Sequence, residues 1–100
     1  MEEIIFPDEI RALAQRYIWW KTPDEALRFP LRVVAQIMEL GVAKDCALMK
    51  EYFGCEKMVQ ALREAEPGWF SPRSWNFWHY RLRMTEIGQE VPPLPIRQFA

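Results

Sequence analysis

The chain predicts an all-α fold: a compact bundle of about five short helices with an extended, proline-rich C-terminal strap. Three observations carry this. Apolar residues recur at spacings of three and four along most of the sequence, residues that cap helices stand before those runs, and no segment alternates convincingly with the period of two of a half-buried strand.

The first helix is expected over 7–20. Pro7 suits the first helical position, where its missing amide is no loss, and Asp8 and Glu9 favour the positive end of the helix dipole. Ile10, Leu13, Ala14, Tyr17 and Ile18 form one apolar stripe, which Trp19 and Trp20 extend past the helix end. Thr22-Pro23-Asp24-Glu25 is a strong start signal, with a capping Thr three residues before Glu. Pro30 interrupts that helix after a turn or two, and a longer one resumes over 31–40 with Val33, Val34, Ile37 and Met38 on one face. Gly41 follows as a left-handed stop. A unit over 44–53 carries Leu48, Met49, Tyr52 and Phe53 and ends at Gly54. Another, over 55–65, turns Met58, Ala61, Leu62 and Ala65 inward before Pro67-Gly68 breaks the chain.

The last helix starts at Ser71-Pro72 and is expected to reach about Arg83 or Glu86, before Gly88. Trp75, Trp78 and Leu82 share one face, and Phe77, Tyr80 and Met84 cover much of the opposite one. A helix apolar on two sides needs two partners. The tail, with Val91, Pro92, Pro93, Leu94, Pro95, Ile96 and Phe99, reads as a polyproline-like strap that can cover only part of the second face.

One hundred residues fit a single domain over 1–100, with a lead at 1–6 and the tail at 88–100. Five Trp, three Tyr and six Phe are many for this length, and their area must go into the core or an interface. The net charge of -1 gives no global field toward nucleic acid or anionic lipid. Its distribution is uneven: residues 1–66 hold 12 acids and 9 Lys/Arg, whereas residues 67–100 hold 2 acids and 4 Arg. The acidic start Met1-Glu2-Glu3 is unlike a secretory leader, and no run approaches membrane-spanning length. Cys46 and Cys55 make neither metal-ligand spacing nor a redox pair, so the cytoplasm, with both thiols reduced, is the expected compartment.

Little here suggests catalysis. His79 is the single histidine, and it has no second histidine or cysteine motif beside it to build a metal site. It is also the one base available to either cysteine, and the four glycines form no phosphate loop. The carboxylates read as solvated helix charges. No enzyme activity, metal or cofactor is expected. A helix-turn-helix over 46–63 is the serious alternative, with Lys50, Lys57 and Arg63 as nucleic-acid contacts. Against it, Lys50 stands where a small residue usually allows close helix approach, and the second helix, Glu56 to Glu64, is not basic. The stretch Trp69 to Arg83 interleaves Arg73, Arg81 and Arg83 with aromatics, which also suits stacking on single strands, and Pro92 to Pro95 has PxxP spacing.

Three segments together have a familiar look: Val33-Val34-Ala35-Gln36-Ile37-Met38-Glu39-Leu40-Gly41, Leu48-Met49-Lys50-Glu51-Tyr52-Phe53-Gly54, and Ser71-Pro72-Arg73-Ser74-Trp75-Asn76-Phe77-Trp78-His79-Tyr80-Arg81-Leu82, closed by Pro92-Pro93-Leu94-Pro95. Over about residues 22–99 the chain resembles short bacterial helical proteins of unassigned function found beside abortive-infection-type nucleotidyltransferase toxins. The aromatic block with its Pro tail is the most specific part. Members of that group are more basic around the third and fourth helices, which weakens a carried-over DNA role. The resemblance implies an antitoxin-like partner protein and brings no catalytic residue.

The expected function is therefore protein–protein binding, masking a toxin enzyme, with Trp69, Phe70, Trp75, Trp78, Arg81, Pro92, Pro93, Leu94 and Pro95 as the contact residues. DNA binding and a homodimeric structural role are the alternatives.

Overall fold

In the computed structural model, which describes residues 6–96, the chain forms α1 (Asp8–Tyr17), α2 (Pro23–Ala26), α3 (Pro30–Leu40), α4 (Ala43–Arg63) and α5 (Pro72–Arg81), with no strand among those residues. The first five residues, and the end of the strap with Phe99, lie outside the described residues.

α3 is the central element and packs against all four other helices. Its burial follows from composition: Val33, Val34, Ala35, Ile37 and Met38 are all buried, leaving only a narrow polar edge. The α1 stripe meets it through Ile10, Leu13, Ala14 and Ile18, and Met49, Met58, Ala61 and Leu62 of α4 close the core. Tyr17 is half-buried, its hydroxyl donating to the buried carboxylate of Asp45 at 2.5 Å while Arg16 donates to the same oxygen at 2.8 Å. This polar knot ties the end of α1 to the first turn of α4.

Thr22 caps α2 as expected, its Oγ1 accepting from the Glu25 amide at 3.2 Å. Ser71 caps α5 in the same way, accepting from the Ser74 amide at 3.2 Å. Several local expectations are corrected. Pro7 is the N-cap of α1, not its first helical residue. Trp19 and Trp20 do not extend the buried stripe. They follow the helix end, stack edge-on with each other, and are exposed, Trp19 by 73%.

Gly41 is not a left-handed stop: its φ is -72°. Glycine is required there by space, because a Cβ would stand 2.4 Å from the Ile37 carbonyl oxygen. Gly54 joins two helices as a single non-helical residue within α4, at φ 84° and ψ 163°, a region almost closed to other residues. The expected end of α5 is also corrected. The helix stops at Arg81 through a Schellman motif, with Arg83 left-handed at φ 58°, its amide bonded to the Tyr80 carbonyl and the Met84 amide to that of His79.

Candidate partner-binding groove

Three anchors position α5. The Ser71 amide and hydroxyl both donate to the Glu39 carboxylate, at 3.1 and 3.4 Å. The Trp78 indole donates to the Met38 carbonyl at 2.9 Å, satisfying one of the carbonyls left open at the end of α3. The Trp75 indole donates to the Pro92 carbonyl at 2.8 Å, and Val91 and Leu94 pack on the core, so the strap lies on its own domain. The Tyr80 hydroxyl also reaches the strap, donating to the Gln89 carbonyl.

With Trp75 and the strap on one side, α5 leaves its other side open. A groove of about 680 Å³ runs between α5, the end of α3 and both halves of α4. Met38, Met58, Val59, Trp78 and Leu82 give it an apolar lining, and Phe77, 55% exposed, stands in it. Lys50, Arg73, Arg81 and Arg83 supply four cations, and no carboxylate residue lines it. One of the four, Arg83, is the left-handed residue, a conformation costing about 1–2 kcal/mol for a side chain other than Gly. Backbone strain of this kind is often tolerated where a side chain has a task.

Both cysteines line the groove as free thiols. Cys46 Sγ donates weakly to the Ile37 carbonyl, and burial, with Asp45 adding, pushes its pKa up, so it stays a neutral thiol. His79 is elsewhere: it is buried in the core, its Nδ1 donating to the Trp75 carbonyl at 2.7 Å. Among the described residues no three His, Cys, Asp or Glu side chains cluster as metal ligands. No helix there is long and apolar enough to cross a membrane.

The structure divides the contact residues expected from sequence. Trp78 and Arg81 line the groove. Phe70 and Trp75 are core side chains, packed against each other with their rings tilted by 54°, and closed to a partner. Trp69 lines a different cleft, under the Arg32 guanidinium. Pro92 and Pro93 are exposed on the strap, while Leu94 and Pro95 are half-buried.

Of the three residues expected to contact nucleic acid, only Lys50 lines the groove; Lys57 is half-buried and Arg63 is exposed. The exposed face of the second half of α4 carries Glu56, Gln60, Arg63 and, just past its end, Glu64. Sequence reasoning did not group Phe77, Arg73 and Arg83 with Lys50. The excess of Arg over acids beyond residue 66 was the available signal.

No protein-family model, curated protein or solved structure matches the chain.

Proposed function

We propose that the chain is a protein-binding module whose groove between α4 and α5 seats an acidic, apolar-faced segment of a partner protein. The lining carries this reading: four cations without a carboxylate surround an apolar floor and an exposed Phe77. Apolar anchors supply affinity in such a site, and the rim charges select and steer the partner. The resemblance over residues 22–99 supports a nucleotidyltransferase-type toxin as that partner, neutralised by masking in the cytoplasm. Binding without catalysis is the reading we adopt, since Cys46 is held as a thiol and His79 is a core residue.

Nucleic acid is the second reading, because a carboxylate-free cationic rim also suits phosphates. The apolar floor with the exposed Phe77, and the acids on the outer face of α4, favour the protein.

Calorimetric titration against a nucleotidyltransferase toxin of the abortive-infection type tests the proposal. Phe77→Ser and Arg81→Glu should each weaken the complex at least ~10-fold with the helical spectrum unchanged. Full-strength binding by the double variant would place the interface elsewhere. Sequence-selective duplex binding that persists at physiological salt would make DNA the ligand. A tight dimer that binds neither would leave the homodimeric role.

A further inference from the structure

A second cleft, of about 570 Å³, opens where the chain leaving α1, the start of α3 and the α4–α5 connection meet. Its volume lies in the range of small-molecule sites, roughly 300–1,000 Å³. Trp20, Phe29 and Trp69 give it aromatic walls. The Arg32 guanidinium lies 5.4 Å from the centre of the Trp69 ring. One of its terminal nitrogens, Nη1, is shut off from solvent with no hydrogen-bond partner. That nitrogen is turned into the protein, so a ligand in the cleft meets the remaining N–H groups of the guanidinium. Burial also pulls the Arg32 pKa down, the field of Glu66 only partly opposing it.

The charges around the cleft narrow the ligand. Lys21, Arg28 and Arg32 face Glu64 and Glu66, an excess of one positive charge. The first turn of α3, which forms part of the wall, has no side-chain cap and no acidic residue, so its positive end adds to that excess. A monoanion neutralises the site, whereas a phosphate dianion would face two carboxylates with too little positive charge to balance it. A carboxylate also matches the planar fork of arginine.

We infer that this cleft binds a small aromatic carboxylate, its oxygens on Arg32 and its ring against Trp69, Trp20 and Phe29. This site is separate from the partner groove and stands whether or not that reading holds.

The test uses the full chain with 2-naphthoate as the probe. Uncharged 2-naphthalenemethanol and inorganic phosphate serve as comparators. Binding is read from the indole N–H resonances, assigned by single Trp→Phe substitutions. The Trp20 and Trp69 signals should shift saturably with 2-naphthoate while the Trp78 signal stays in place. Arg32→Gln should weaken binding at least tenfold, and Glu66→Gln should tighten it severalfold. Lys21→Gln with Arg28→Gln, both on exposed residues, should weaken it severalfold and decides the matter if Arg32→Gln does not fold. Unsaturable shifts, equal binding of the alcohol, displacement by equimolar phosphate, or shifts centred on Trp78 would each overturn the assignment. So would Arg32→Gln or the Lys21/Arg28 pair binding as the parent does, or Glu66→Gln failing to tighten binding, which would mean that Glu66 does not compete for Arg32.

Discussion

The indole N–H of Trp75 donates to the carbonyl of Pro92 across 2.8 Å, joining the middle of α5 to a strap that has no helix of its own. Trp75 is buried on that side, whereas Phe77 is 55% exposed. Val91 and Leu94 then pack on the core beside it. The strap is therefore part of the domain's own packing.

Truncation after Gly88 should accordingly cost more than fraying a tail would. Two half-buried apolar side chains and one indole hydrogen bond together suggest a loss of about 3 kcal/mol. In a domain of this size that lowers Tm by more than ~10 °C. A thermal melt followed by circular dichroism reads it. A truncated chain melting at the parent temperature would show that the strap contributes nothing.

Asp45 makes stability depend on pH at the acid end. The hydrogen bond from Tyr17, followed by Arg16, holds its carboxylate below the usual range. A depressed folded pKa means that stability is present above the unfolded value of about 4 and is lost as pH falls through the folded one. Tyr17 acts at the other end, its pKa raised by burial first and by Asp45 second. Its contribution is present below about pH 10 and is lost as pH rises through the folded value. Urea midpoints across pH should fall at both limits. Tyr17→Phe should flatten the alkaline limb and shift the acid one upward.

Two glycines should resist replacement for different reasons. Gly41→Ala meets the Ile37 carbonyl at 2.4 Å and should cost about 1–3 kcal/mol by overpacking. Gly54→Ala has open space around it but sits at φ 84° and should cost about 1–3 kcal/mol by backbone strain. Denaturant melts separate them when Cys46→Ala is added. Removing the sulfur, which a Cβ at Gly41 would meet at 3.2 Å, should ease the first variant and leave the second unchanged.

Arg83→Gly should raise stability and lower partner affinity together. Glycine relieves the left-handed conformation, a gain of about 1 kcal/mol, while the groove loses one of its four cations. A variant that binds its acidic partner as tightly as the parent would remove Arg83 from the interface.

Helices were legible from the sequence because their signals are local. Thr22 and Ser71 stand at the caps they predict, and the stripes of α1, α3 and α4 are the buried faces except at Tyr52, which is 41% exposed. An apolar period and a cap need only neighbours three or four residues away. The tertiary structure decided which side of α5 would be covered, because that rests on partners far along the chain: Met38 for Trp78, 40 residues back, and Pro92 for Trp75, 17 ahead. It also decided that Phe70 and Trp75 belong to the core while Phe77 faces solvent, since all three look equally apolar in sequence. The groove assembles Lys50 from α4 with Arg73, Arg81 and Arg83 from α5 and its end, and the cleft joins Arg32 to Trp69. Neither grouping leaves a spacing in the sequence, because packing of distant helices, and not periodicity, brings those side chains together.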